Sequence, residues 1–292
     1  GIATIDNLNN DQIGQLNVTK AKGKLINLSN LIKKKPPKGH VGIAHTRWAT
    51  HGKPNERNAH PHLDFSGQIA VVQNGIIENY RDLSNSLKLK GIKLTSETDT
   101  EIIPHLIGLE IEHSLANGLS PNEQTLLIAV QKVLTLLEGT YSIAVIWSKA
   151  PNALVVARGQ APLVLGFGEG EFFCASDTPA LTGFTRTFLP LRDHESALLT
   201  PLGIELYDDE GKRQHRAPSI LQGTELFADK RNFRHFMLKE IYEQPETAQL
   251  WIDRYLPSDS PSKNSVALPI SKSLLEKIEP VSYTHLTLPT KA

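Results

Sequence analysis

The chain predicts an α+β fold in which antiparallel sheets pack against helices. Two observations carry that expectation. Strand-like runs come first, helical periods fill residues 78–137, and a long series of strand-like runs follows. Elements are therefore segregated, whereas a doubly wound parallel sheet needs them to alternate. The second observation is bulk composition: 292 residues, 39% hydrophobic and 21% charged, which is ordinary globular usage on a chain long enough for a sizeable core. A four-layer sandwich, two sheets between outer helices, is compatible with this order, although the order alone does not select it.

The elements are read in sequence. Residues 1–6 and 23–28 read as short strands around a polar turn, and 42–45 as a small-residue strand entering an irregular loop. Residues 49–64 hold Gly, Pro, Asn and His without a period and read as loop. Ile69 to Val72 is β-branched and reads as a buried strand that ends at Asn74-Gly75, a pair that favours a tight turn. Residues 78–89 read as a helix stopped by Gly91. Ile102, Ile103, Leu106 and Leu109 recur at helical spacing, as do the apolar residues of 126–137, with Gly139 ending the latter. Strands are then expected at 142–148, 153–157, 163–167, 171–175, 197–200 and 204–207, the last running into Asp208-Asp209-Glu210-Gly211.

Composition shifts after about Glu243. Residues 257–265 are rich in Ser and Pro and read as a linker. Residues 281–292 are Thr-rich, fit neither period and read as a non-native tail.

Charge and cysteine count exclude several classes. Lys plus Arg and Asp plus Glu balance at 31 each, so bulk charge predicts no nucleic-acid or anionic-membrane partner. The basic run at 33–38 is broken by Pro36 and Pro37 and reads as a solvated loop. No run approaches the roughly 18 apolar residues of a membrane span. A single cysteine, Cys174, allows no internal disulfide and fits a reducing, cytoplasmic setting. The chain opens Gly1-Ile2-Ala3 without Met, as after processing or inside a longer protein.

Four polar clusters offer chemistry: His45-Thr46-Arg47-Trp48-Ala49-Thr50-His51-Gly52, Asn58-Ala59-His60-Pro61-His62, Gln73-Asn74-Gly75-Ile76-Ile77-Glu78-Asn79 and Ser96-Glu97-Thr98-Asp99-Thr100-Glu101. The histidine spacing matches no common metal-ligand pattern, so no metal is expected. Arg47 offers a fork of donors for a carboxylate, or a surface ion pair. Trp48 is either core or a lid aromatic. Asn74-Gly75 is either a hairpin turn or an oxyanion hole. Asp99, just inside a helix start, is either an ordinary helix-start carboxylate or an acceptor for a substrate ammonium. Together a carboxylate clamp, an ammonium acceptor and an oxyanion hole describe a site for an amino acid bearing an amide. What is missing is a nucleophile, since Cys174 sits in an apolar strand and reads as an inert thiol.

The four clusters, with Ala175-Ser176-Asp177 and His235-Phe236-Met237-Leu238-Lys239-Glu240-Ile241-Tyr242-Glu243-Gln244-Pro245, resemble the glutaminase domain of glucosamine-6-phosphate synthase, the isomerising glutamine–fructose-6-phosphate aminotransferase of amino-sugar biosynthesis. The resemblance implies an αββα sandwich of the N-terminal-nucleophile hydrolase type and hydrolysis of glutamine by a cysteine at the mature N-terminus. It implies no cofactor. It assigns Asn74 and Gly75 to the oxyanion hole, Arg47 to the glutamine α-carboxylate and Asp99 to its α-amino group. Thr50, His51 and His60 are implied as pocket residues, and Trp48 as the gate for ammonia. It implies domains at 1–245 (glutaminase, lacking its first strand and nucleophile), 246–268 (linker) and 269–280 (start of a sugar isomerase domain). By the same resemblance the parent is a homodimer, fructose 6-phosphate binds only in the domain this chain lacks, and the chain alone is an inactive fragment. Two alternatives stand beside it. One is the glutaminase domain of another amidotransferase of the class, such as an amidophosphoribosyltransferase or an asparagine synthetase. The other is a glutamine-binding module without a nucleophile.

Overall fold

A computed structural model describes residues 1–6, 13–47, 52–221, 230 and 232–255. The chain divides into two units, Gly1–Phe227 and Ala228–Ala292.

In the first unit the order is β1 (Ile2–Asp6), β2 (Gln15–Thr19), α1 (Leu25–Lys34), β3 (Val41–Ala44), β4 (His62–Leu63), β5 (Ile69–Ile77) and α2 (Tyr80–Leu89). A 3-10 turn, Asp99–Glu101, leads into α3 (Ile102–Ala116), followed by α4 (Glu123–Leu134), β6 (Gly139–Trp147), β7 (Leu154–Gly159), β8 (Val164–Phe167) and β9 (Phe172–Ala175). β10 (Thr187–Pro190), β11 (Ser196–Thr200), β12 (Gly203–Tyr207), β13 (Arg213–Gln214) and β14 (Ser219–Ile220) complete it. The second unit holds α5 (Phe236–Tyr255).

Every strand ladder among the described residues is antiparallel. A seven-stranded sheet runs β13-β12-β11-β7-β6-β5-β4. Successive residues of a strand point to opposite faces, and here both faces are covered. Ile69 and Val71 of β5, Ile143 and Val145 of β6 and Val155 of β7 join Ile103, Ile107, Leu126 and Val130 of α3 and α4 in one core. The alternate residues Ala70, Val72, Ala144, Ile146 and Val156 join Ala3 and Ile5 of β1, Ile43 of β3 and Leu165 of β8 in a second core. Burial on both sides is why these strands read as continuous apolar runs.

The second β layer is in two pieces, β2-β1-β3 and β14-β10-β8-β9. Their edge strands β3 and β9 flank a trough. A cavity of about 410 Å³ is lined by Gly42 to Thr46 on one side and by Cys174, Ala175 and Ser176 on the other, with Val72, Asn74 and Ala144 at its floor. An adjoining cavity of about 470 Å³, which shares Gly42, continues past Phe172 and Phe173 over Leu154 and Leu199.

Several expectations are corrected. Residues 23–28 are not a strand. Leu25, Leu28 and Leu31 lie three apart on α1, with Leu28 buried, and Lys33 and Lys34 fall in the last turn where cations suit the helix dipole. Pro36 and Pro37 cannot continue that helix. β2, not expected, alternates buried-side Leu16 and Val18 with polar neighbours. Gly139 opens β6 rather than closing a helix. Asn74-Gly75 makes no turn: β5 runs through it to Ile77, with Asn74 opposite Ser142 and Gly75 opposite Tyr141. The boundary expected at 245/246 falls inside α5, which contains Pro245, so residues 246–255 are helical. Residues 256–292, with the expected linker core, isomerase start and tail, lie outside the described residues.

Candidate functional site

The site is built at the C-terminal end of β5. Gly75 has φ +113°, and a Cβ placed there would lie 2.0 Å from the Thr140 carbonyl oxygen on β6. Glycine thus lets the two strand backbones close up while the chain takes a conformation that L side chains rarely adopt. The apolar strand before it anchors the register, and the exposed Asn74 is set at a defined point of the sheet surface.

The Asn74 side chain meets His45, whose Nε2 lies 2.7 Å from Asn74 Oδ1. His45 is positioned by extension of the β1–β3 pairing: its N–H donates to the Gly1 carbonyl at 3.0 Å and its carbonyl accepts from the Gly1 nitrogen at 2.9 Å. Burial holds the His45 ring below the ordinary histidine range.

Asp99 opens the 3-10 turn ahead of α3, and its Oδ2 accepts the Ile77 N–H at 2.8 Å. It therefore joins the end of β5 to the start of the long buried helix. Because one carboxylate offers about four acceptor positions, this bond leaves capacity for an ammonium.

Arg47 folds back on its own loop. Its guanidinium donates to the Gly52 carbonyl at 3.4–3.5 Å and to that of Lys53 at 3.4 Å. The loop is clamped by Asn58 and Glu97: Asn58 Nδ2 donates to Glu97 Oε2 at 2.8 Å and to the Lys53 carbonyl at 2.9 Å, while the Glu97 N–H donates to Asn58 Oδ1 at 2.9 Å. Gly52, at φ +74°, fits where any Cβ would lie 2.8 Å from Asn58 Nδ2. Trp48, Thr50 and His51 lie outside the described residues.

Behind His45 stands a set of neutral rings. His60 stacks on it at 4.3 Å between centroids and meets His62 edge-on at 5.0 Å. His60 accepts the Gln73 N–H at Nδ1, 3.3 Å, and its Nε2 lies 3.3 Å from Thr100 Oγ1. His62 Nε2 lies 3.0 Å from Thr98 Oγ1. Burial is the main cause that pushes both below the ordinary range, with His45 and His62 adding to the effect at His60 and Lys20 to that at His62, whose value falls to about 3. Burial alone would raise the Glu101 carboxyl. His105 beside it, 3.8 Å away, and hydrogen bonds from Thr95 and Ser96 instead hold it well below the usual carboxylate range.

Cys174, on β9, is partly buried, packed against the second core at the wall of the trough, and burial pushes its thiol up to about 12. A thiol so held supplies almost no thiolate near neutrality.

The sequence-derived residues are thus partly assembled. Asn74 and Gly75 share one strand end, and Asp99 is bonded to it. Arg47 lines a cavity of about 330 Å³ with Gly1, Lys22 and Leu25, whereas Asn74 lines the trough; His45 and Thr46 line both, and Gly75 and Asp99 line neither. His60 lines neither as well, being buried under His45. The residues not singled out from the sequence are His45, Gln73, Thr100 and the Asn58–Glu97 clamp. His45 shared a cluster with Arg47, but nothing local marked it as the partner of Asn74, 29 positions away.

Antiparallel sheets packed with helices, with an Asn-Gly strand end and a carboxylate bonded beside it, define an α+β sandwich that gathers polar groups at the end of β5. Comparison with known proteins identifies the class. Residues 45–183 match the family described as a glutamine amidotransferase domain. The chain is 50% identical over 284 residues to the isomerizing glutamine–fructose-6-phosphate aminotransferase of Thermosynechococcus vestitus, covering 96% of this chain and 43% of that protein. It is 48% identical over 284 residues to the enzyme of the same name from Synechocystis sp., covering 96% and 44%. Among solved structures, the glutamine phosphoribosylpyrophosphate amidotransferase from B. subtilis superposes with a TM-score of 0.55 at 22% identity, over 73% of this chain and 43% of that one. The shared fold is the αββα sandwich. This chain carries a glutamine amidotransferase domain, homologous to the glutaminase part of the isomerizing glutamine–fructose-6-phosphate aminotransferases. It spans less than half the length of those relatives. No helix among the described residues is long and apolar enough to cross a membrane.

Proposed function

We propose that this chain binds L-glutamine and forms the pocket in which a longer parent protein hydrolyses its amide, the ammonia serving conversion of fructose 6-phosphate to glucosamine 6-phosphate. The observation that carries this is the strand end at Asn74 and Gly75, with Asp99 bonded to Ile77 two residues on. In this reading Asp99 holds the α-ammonium and Arg47, released from the Gly52 and Lys53 carbonyls, holds the α-carboxylate. Trp48, Thr50, His51 and His60 complete or support the pocket, Trp48 as the ammonia gate.

The chemistry needs a thiolate that attacks the amide carbon. The carbonyl π electrons move to oxygen, and that oxyanion is met by the Asn74 amide and the Gly75 N–H. The oxyanion electrons then re-form the carbonyl as the C–N bond breaks, the nitrogen takes up the proton that the thiol gave up and leaves as ammonia, and water hydrolyses the glutamyl thioester to glutamate and free thiol. Cys174 does not suit that role, since burial raises its thiol and so disfavours the thiolate. We assign the nucleophile to a cysteine on a strand ahead of Gly1 in the parent. The trough between β3 and β9 supports this reading, since strand edges stand on both sides and its lining includes His45 and Asn74.

Calorimetric titration of the chain with L-glutamine tests the pocket. Saturable binding, preferred over D-glutamine and abolished in Arg47→Ala, supports the reading; no binding overturns it. The coding sequence ahead of Gly1 tests the nucleophile. If it encodes no cysteine, the chain is a glutamine-binding module instead.

A further inference from the structure

We propose that His45 is a positioning residue, which holds the Asn74 carboxamide with its oxygen turned away from the substrate and its NH2 turned toward it. The proposal rests on the reading of Asn74 as an oxyanion donor and adds what makes it one. A carboxamide has an acceptor end and a donor end of nearly equal size. On an exposed strand residue nothing intrinsic selects between them, and with the oxygen facing the substrate the site would repel a developing oxyanion.

The ring nitrogens of His45 make the selection. Nε2 lies 2.7 Å from Asn74 Oδ1, while Nδ1 is buried and has no hydrogen-bond partner among the described residues. A neutral imidazole carries one proton. Placed on Nδ1, it would leave a buried N–H donor unmet and would present a lone pair to Asn74. Placed on Nε2, it leaves at Nδ1 only a bare acceptor, which proteins tolerate more readily than an orphaned N–H. The Nε2–H form donates to Asn74 Oδ1 and leaves both amide hydrogens of Asn74 free. Asn74 has no other side-chain hydrogen bond among the described residues.

The ring is held in place from behind. His60 stacks on it at 15° between planes, and His60 is itself fixed by Gln73, the residue next to Asn74. The Gln73 N–H donates to His60 Nδ1, so the His60 proton is on Nε2, facing Thr100 Oγ1. The Thr100 hydroxyl in turn donates to Gln73 Oε1 at 2.5 Å. The loop of bonds closes on the same strand that carries the amide. Ring orientation at His45 is therefore set by β5 itself, through His60, and returned to β5 at the next residue.

The test reads the proton directly. Long-range ¹H–¹⁵N correlation of the histidine rings in the full chain, without ligand, is expected to show His45 and His60 as Nε2–H forms. An Nδ1–H ring at His45 overturns the proposal. The variants His45→Phe, which keeps the stack and loses the donor, and His45→Gln, whose amide N–H can replace it, carry the functional arm. His45→Phe is expected to shift the Asn74 side-chain amide resonances and to weaken L-glutamine binding about tenfold, and His45→Gln to restore most of that loss. Wild-type affinity in a folded His45→Phe overturns the proposal. If His45→Phe does not fold, the ring spectrum of the unaltered chain and the His45→Gln titration still decide. A chain that shows the Nε2–H form but binds no glutamine sinks the functional reading and leaves the hydrogen-bond assignment standing.

Discussion

The Asp99 carboxylate accepts the backbone N–H of Ile77 at 2.8 Å, which pins the end of β5 to the start of α3. Ile77 is fully buried, so its N–H has no water to fall back on. One carboxylate is thereby given two tasks, a structural one on Oδ2 and the proposed capture of an ammonium.

Those tasks separate by substitution. Asp99→Asn keeps an acceptor for Ile77 and is expected to stay within about 1 kcal/mol of wild-type stability, while losing glutamine binding with the lost charge. Asp99→Ala strands the buried N–H and is expected to cost about 1–3 kcal/mol as well. Urea unfolding and glutamine titration of the two variants check this. Equal stability losses would show that the Ile77 bond is not what the carboxylate provides.

Gly75→Ala is expected to be far more damaging than its size suggests. The positive φ alone costs of order 1–3 kcal/mol, and the new methyl would meet the Thr140 carbonyl at 2.0 Å. Gly67→Ala is the control, since Gly67 has φ +70° but nothing within 4 Å of its Cβ position. Urea midpoints should place Gly67→Ala about 1 kcal/mol below wild type and Gly75→Ala well below that or unfolded.

Cys174 is expected to react slowly. With its thiol pushed up to about 12, iodoacetamide labelling of the folded chain at pH 7.5 should run at least about a hundredfold slower than in urea. Cys174→Ser should bind glutamine as wild type does. Rapid labelling that glutamine blocks would reinstate this cysteine as a nucleophile.

Acid should loosen the site before the rest of the first unit. His60 and His62 have folded values depressed below the unfolded one, so below pH 6.5 the unfolded chain binds more protons than the folded chain. Stability from keeping them neutral is complete above that pH and is lost as pH falls, for His62 across the window from about 6.5 to about 3. Each contributes a slope of about 1.4 kcal/mol per pH unit within its window. Glu101, also depressed, loses its contribution only at lower pH, below 4.5. Melting temperatures from pH 7.5 to 5 should fall, and His62→Phe should flatten the dependence. A curve flat to pH 5 would contradict neutral, buried rings.

Much of the fold was legible because its signals are local. The runs at 69–72, 143–147 and 153–157 are apolar at every position, and the helical spacing of Ile102, Ile103 and Leu106 stands clear of them. Errors fell where a short apolar run fits two periods. Leu25, Ile26 and Leu28 read as strand until the following Leu31 and Ile32 are counted, and Asn-Gly read as a turn because that is its commonest use. The same dipeptide here serves a strand whose neighbour crowds in at Thr140, a contact that no local pattern records.

By itself the sequence determined the α+β class, the buried apolar strand at 69–72, and the polar clusters at 45–52, 58–62, 73–79 and 96–101. Periodicity and residue chemistry are properties of neighbours along the chain. Only the tertiary structure decided that His45 faces Asn74, that His60 stands behind His45 rather than beside the cavity, and that β3 and β9 line one trough. Those relations join residues tens of positions apart. They exist only once the sheets have twisted and packed, since which nitrogen meets which oxygen depends on backbone positions that the cores impose.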